Sequence, residues 1–153
     1  MSTRFIGRYE HSLDGKGRLI LPARFRLSFD SVAVVSKEKD RCLAIWTPEE
    51  FDKKAEKMAP LMDGNQQQRA EARAFWMGSA EVDIDKQGRV ALPPYLREFA
   101  GMEEGASVLV HGAHNHIELW SPHIWEAHGS LGDAYLGGDL PSSGREETPG
   151  EGA

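Results

Sequence analysis

A chain of 153 residues is long enough for one ordinary domain, or for two small halves that share a core; at that size folding buries roughly 70% of the unfolded surface, so neither a metal nor a disulfide staple is required. With 40% apolar and 27% charged residues, a single cysteine and no run approaching the ~18 apolar residues of a membrane span, the composition excludes a fibre, a helical membrane protein and a disulfide-framework domain. The net charge of -6 counts against a nucleic-acid partner when taken whole, but residues 1–77 carry 14 basic and 11 acidic side chains and residues 78–153 carry 4 and 13, so the halves stand at +3 and -9.

In chain order, Phe5, Gly7, Tyr9, His11 and Leu13 alternate with Arg4, Ile6, Arg8, Glu10 and Ser12, which predicts a strand with one wet face. Arg4, Arg8 and Glu10 interrupt any signal-peptide core there, and secretion is not expected. A tight turn centred on Gly17 follows, then a short returning strand, then a helix started by Pro22 with Phe25 and Phe29 at helical spacing. A hairpin is predicted over residues 32–36 and 42–46 around a charged turn at 37–41. Thr47-Pro48-Glu49-Glu50 has the form of a capping box with proline at N1, opening a helix with Phe51, Ala55 and Met58 on one face. Residues 66–77 are good helix formers and predict a helical connector.

The same series then returns. Asp14-Gly15-Lys16-Gly17-Arg18-Leu19-Ile20-Leu21-Pro22 recurs 71 residues later as Asp85-Lys86-Gln87-Gly88-Arg89-Val90-Ala91-Leu92-Pro93, and Leu43-Ala44-Ile45-Trp46-Thr47-Pro48 is echoed by Ile117-Glu118-Leu119-Trp120-Ser121-Pro122 at an offset of 74. Two matches in the same order identify a duplicated unit. Its elements are a strand through Ala80, Val82 and Ile84, a helix from Pro93 and Pro94 through Tyr95, Leu96 and Phe99 to a stop at Gly101, and a hairpin over 107–111 and 116–120. The expected organisation is a first half at 7–51, a helical connector at 52–79, a second half at 80–123, a terminal helix at 124–130 and a disordered acidic tail at 131–153, where glycine, serine and glutamate accumulate.

Catalysis makes the sharpest demands, and the sequence meets none of them. There is no G-x-S-x-G elbow, Gly15-Lys16-Gly17 lacks Walker spacing, and Asp83-x-Asp85-x-x-Gly88 reaches Pro94 where a calcium loop needs glutamate. Cys42 reads as a core residue, so no enzyme and no cofactor is expected. His111, His114, His116, His123 and His128 crowd the second hairpin and the helix after it, but without a cysteine pair or an H-E-x-x-H pattern no metal is assigned.

The duplicated Asp-x-x-Gly-Arg turn fits polyanion recognition better. Arg18 and Arg89 each leave a glycine turn at a strand start, where a guanidinium can fork onto phosphate oxygens or guanine N7 and O6. Asp14 and Asp85, with Gly17 and Gly88, read as turn-structuring residues: a short carboxylate bonds backbone N–H groups just downstream or holds its arginine. Each arginine could also serve only to pair with the aspartate four positions before it.

Phe5-Ile6-Gly7-Arg8-Tyr9-Glu10-His11-Ser12-Leu13-Asp14-Gly15-Lys16-Gly17-Arg18-Leu19-Ile20-Leu21-Pro22-Ala23-Arg24-Phe25-Arg26 resembles the opening of the MraZ family of bacterial transcriptional regulators, and the second Asp-x-x-Gly-Arg motif and the doubled apolar-Trp-[Ser/Thr]-Pro segment fit as well. The resemblance spans residues 4 to about 126. It implies a mixed α+β fold of two tandem AbrB-like halves (double-split β-barrel, swapped hairpin) related by a pseudo-two-fold axis. It also implies a cytoplasmic, nucleoid-associated protein that binds double-stranded DNA as a ring-like homo-oligomer, at tandem short promoter repeats of the division and cell-wall gene cluster, usually repressing it, with no membrane partner. Carried over by position, Arg18 and Arg89 are the motif arginines and Arg26 and Arg97 the further basic positions eight residues on. Lys16, Arg8, Arg24 and Lys86 complete the expected DNA-contacting set. Copy two departs from copy one, with Tyr95 for Arg24, Lys86 for Gly15 and acidic surroundings at Glu81, Asp83 and Glu98, so the halves are not expected to contribute equally. The alternative is a protein-interaction or antitoxin-like module that keeps the barrel without binding an operator.

Overall fold

A computed structural model describes residues 4–103 and 105–141. The first copy supplies strands β1 (Arg8–Ser12), β2 (Arg18–Ile20), β3 (Val32–Lys37) and β4 (Leu43–Trp46), with a one-turn helix α1 (Ala23–Arg26) after Pro22. Helices α2 (Pro48–Met58) and α3 (Gln66–Gly78) connect it to the second copy, made of β5 (Ala80–Asp83), β6 (Arg89–Ala91), α4 (Pro94–Phe99), β7 (Ser107–Gly112) and β8 (Ile117–Trp120). The chain continues through α5 (Pro122–Ile124), a wide turn at Trp125–Gly129 and α6 (Gly132–Leu136). This last helix lies within the span expected as a tail; residues 142–153 of that span lie outside the described residues. Among the described residues no helix is long and apolar enough to cross a membrane.

Six strands form one antiparallel sheet in the order β1-β7-β8-β4-β3-β5, while β2 and β6 pair separately as a two-stranded ribbon. The order is unchanged when the two copies are exchanged. Each copy therefore lends its first strand to the other copy's hairpin: Tyr9 lies opposite Val110, and Val82 opposite Ala33. The hairpins meet along β4 and β8, with Ile45 opposite Ile117. Neither copy could close its own sheet, which is why a duplicated unit of this size is stable only as a pair.

The main core fills the space between the six-stranded sheet and the ribbon. Leu13, Leu19, Leu21 and Phe25 from copy one meet Val90, Leu92 and Leu96 from copy two, all at 2% exposure or less. Each such side chain contributes about 1.5–3 kcal/mol on burial. Phe5 meets Phe25 edge-on at 5.3 Å, closing this core from the amino-terminal side. The outer face of the sheet is covered too. Phe51 of α2 packs against Val34, Ala44 and Trp46, and stacks on Phe75 of α3 at 5.5 Å; Ile124 and Trp125 pack against Cys42, Leu109 and Trp120. This double coverage explains why β4 is buried along its whole length.

The capping signals are realised unevenly. Thr47 Oγ1 accepts the Glu50 N–H at 3.3 Å, but the Glu50 carboxylate takes Lys53 Nζ at 3.2 Å, so only half of the predicted capping box forms. The full reciprocal box sits at α3: Asn65 Oδ1 accepts the Gln68 N–H at 2.8 Å, and Gln68 Oε1 accepts the Asn65 N–H at 2.9 Å. Asn-x-x-Gln before the helix carried that signal.

Candidate nucleic-acid interface

The two Asp-x-x-Gly-Arg turns are built alike. Asp14 Oδ1 accepts the N–H groups of Lys16 and Arg18, both at 2.9 Å, and Oδ2 takes Arg18 Nε at 2.7 Å. The Gly17 N–H closes the turn on the Asp14 carbonyl at 3.0 Å. In copy two, Asp85 Oδ1 accepts the N–H groups of Gln87 and Arg89 at 2.9 Å, and Oδ2 takes Arg89 Nε at 2.7 Å. Gly17 and Gly88 have φ of 72° and 78°, the left-handed region that an L side chain resists. The Arg18 N–H, then the Lys16 N–H and the Arg18 guanidinium, hold the Asp14 carboxyl down at about 2; Asp85 is lowered too, first by the Arg89 N–H. In both turns the aspartate bonds the backbone N–H groups and also holds its arginine. The aspartate structures the turn, and its bond to Nε fixes the guanidinium plane without using the Nη groups.

Pairing of β2 with β6 brings the two turns to opposite ends of one ribbon. Leu19 lies opposite Val90, and both are fully buried in the core. Side chains alternate across a strand, so Arg18 and Ile20 share the outward face with Ala91 and Arg89. Arg18 is opposite Ala91 and Arg89 opposite Ile20, which makes the two arginines diagonal neighbours about 7–8 Å apart. Lys16 and Lys86 stand exposed on the turns at either end, and Arg24 is exposed on α1. The copy-two end is less basic: Tyr95 occupies the position of Arg24 and donates its hydroxyl to the Gly78 carbonyl at 3.2 Å, with Glu81, Asp83 and Glu98 exposed.

The remaining basic candidates are placed differently. Arg26 Nε donates to the Leu21 carbonyl at 3.0 Å and its Nη1 to the Gln87 carbonyl at 3.2 Å, while Arg97 Nε donates to the Leu92 carbonyl at 3.0 Å. These guanidinium groups lie against the protein backbone. Arg8 is not brought to the ribbon. It precedes Asp14 by six residues of extended chain, roughly 20 Å, and lies 5.9 Å from the Trp125 ring and 4.0 Å from Glu10. Lys37 and Arg41 sit over the ring of Phe99 at 5.2 and 4.9 Å, so part of the positive charge of the first half secures the copy-one hairpin to α4.

The histidines form a separate cluster on the outer face of the sheet. Glu118 lies between His116 Nε2 at 3.3 Å and His111 Nε2 at 3.7 Å and accepts from Trp120 Nε1 at 3.0 Å. The His116 bond holds the Glu118 carboxyl low, and burial lowers His111. His114 sits at the hairpin tip, where its carbonyl accepts the Phe5 N–H at 2.7 Å. Among the described residues no three His, Cys, Asp or Glu side chains are arranged to hold a metal ion. Cys42 is 2% exposed and burial pushes its thiol up, away from the reactive thiolate.

Gly17→Ala and Gly88→Ala should each cost about 1–2 kcal/mol, lowering Tm by about 2–8 °C. Gly15→Ala, where an added Cβ meets nothing within 4 Å, should leave Tm unchanged. Because Asp14 titrates at about 2 in the fold against 3.8 as a free side chain, its ionised form stabilises the protein above pH 4, and that contribution is lost as pH falls from about 4 to about 2. Urea unfolding of wild type and Asp14→Asn should therefore differ at pH 6 and converge towards pH 2.

Residues 4–73 and 75–130 match the family model "MraZ protein, putative antitoxin-like". A protein of Thermomicrobium roseum named transcriptional regulator MraZ is 40% identical over 127 residues, covering 83% of this chain and 88% of that one. A second, from Carboxydothermus hydrogenoformans and of the same name, is 40% identical over 79% of this chain and 83% of its own. A solved structure from Pyrococcus horikoshii, the solution structure of PHS018, covers 78% of this chain and 98% of its own at 15% identity and a TM-score of 0.34, too low to bear on the fold. Through its family model and these relatives named as transcriptional regulators, the chain belongs to the MraZ family.

Proposed function

We propose that this chain is a sequence-specific DNA-binding transcriptional regulator whose contact element is the β2–β6 ribbon. The observation that supports the reading is the convergence of Arg18 and Arg89, from the two copies, on one outward face, each with its guanidinium fixed by an aspartate. The B-DNA major groove, about 12 Å wide, admits a two-stranded ribbon, and a fixed guanidinium presents a fork to guanine O6 and N7. Lys16, Lys86 and Arg24 flank the ribbon at positions suited to phosphate. We read the exchanged strands as two AbrB-like swapped-hairpin halves in one chain, and the contact set as dominated by copy one.

One ribbon neutralises few phosphates and binds weakly at cellular salt. Repetition of the ribbon around a ring-like homo-oligomer, engaging tandem short promoter repeats about one helical turn apart, supplies the missing affinity. On this reading the protein is cytoplasmic and nucleoid-associated, and represses the division and cell-wall gene cluster; the -9 charge of residues 78–153 limits indiscriminate binding. That same charge favours the second reading, an antitoxin-like interaction module without an operator.

Binding to the gene's own upstream DNA and to a scrambled duplex at two salt concentrations separates these readings. Arg18→Ala should lose about tenfold or more in affinity for the upstream DNA and most of its preference over the scrambled duplex. Lys16→Ala should weaken both duplexes alike and reduce the salt slope by about 0.9. Undiminished discrimination by Arg18→Ala overturns the ribbon as the contact element, and no discrimination by the wild type favours the interaction module.

A further inference from the structure

Arg26 and Arg97 are bound to more than the carbonyls of their own copies. The Arg26 side chain crosses to the second copy, where Nη1 reaches the Gln87 carbonyl and the side chain lies flat over Gly88, so that a Cβ there would overlap its Cδ, Nε and Nη1. Arg97 makes the reciprocal crossing: a Cβ on Gly17 would stand 2.7–3.1 Å from its Cζ, Nε and Nη1. Below the guanidinium groups, the Gly17 carbonyl accepts the Leu92 N–H at 3.0 Å, and the Gly88 carbonyl accepts the Leu21 N–H at 2.9 Å. Each turn glycine is held between a ladder bond and a guanidinium, both from the opposite copy.

We infer that Arg26 and Arg97 are positioning residues for DNA recognition, acting as reciprocal clamps that fix each motif turn, and with it Arg18 or Arg89, through the other copy's helix. This deepens the DNA-binding reading and rests on it. The geometry assigns the glycines a second duty, since a left-handed φ would also admit asparagine, whereas any side chain there would displace the guanidinium overhead. It also gives position 26 a reason to carry arginine. Lysine keeps the charge but cannot place planar Nε and Nη donors on the Leu21 and Gln87 carbonyls at once.

The test uses the full-length chain with Arg26→Lys and Arg97→Lys, after thermal melts confirm folding. Hydrogen exchange on the free protein should quicken by about tenfold at the turn opposite the substitution: residues 85–89 and Leu21 for Arg26→Lys, residues 14–18 and Leu92 for Arg97→Lys. The preference for upstream over scrambled DNA should fall by about tenfold while the salt slope is unchanged, because no phosphate contact is removed. Full rescue by lysine in both readouts overturns the clamp. Loss of discrimination with unaltered exchange makes these arginines direct DNA contacts and overturns it as well; faster exchange with discrimination intact overturns their positioning role in recognition. Should the wild type not discriminate, the DNA-binding reading fails; the exchange data then still decide whether the clamp exists.

Discussion

In each turn one carboxylate meets three donors: two backbone N–H groups at 2.9 Å and a guanidinium Nε at 2.7 Å. These bonds give the chain a reversal only four residues long, deliver the arginine to the first position of the following strand, and leave its orientation no freedom about Nε. The same arrangement occurs at Asp85 with the same distances. A guanidinium on a free side chain loses rotamer entropy of about 2 kcal/mol when it is ordered; here much of that loss occurs on folding, before any partner arrives.

The turn gains its value from pairing. β2 and β6 have three residues each, too short to persist alone, and they hold because Leu19 and Val90 enter a core to which both copies contribute. Exchange of the first strands at β1–β7 and β5–β3 makes the copies mutually dependent, so the diagonal spacing of Arg18 and Arg89 is set by the whole fold. Charge is divided along the same lines. Copy one carries most of the exposed cations, while copy two, with Lys86 exposed, matches its backbone geometry with an acidic rim at Glu81, Asp83 and Glu98. The net charge of -6 averages over two faces with different electrostatics.

Legibility in the sequence follows the range of the interaction. Both glycine turns, the prolyl helix starts and the hairpins are local, with determinants within a few residues, and the repeat is legible because the same series returns at offsets of 71 and 74 residues. Asn65 and Gln68 are equally local and form the reciprocal box, whereas the Glu50 carboxylate takes Lys53 instead of completing one with Thr47. Long-range features had no such signal. Pairing of Arg8 with His111 across the sheet removes Arg8 from the ribbon, although proximity in sequence had grouped it with Arg18. Arg26 and Arg97 carry the right charge at the right spacing, but only the fold shows them lying across the glycines of the other copy. Counting charges identifies a basic segment; it does not say which cations face outward.

The ribbon's role as a single outward-facing contact element is tested by backbone amide mapping of the full chain with its own upstream duplex. The expected result is protection or shift concentrated at residues 15–20 and 86–91, stronger in the first set, with the His111, Glu118 and Trp125 cluster unaffected. Perturbation centred on that cluster or on α2 and α3, with both turns silent, would contradict it.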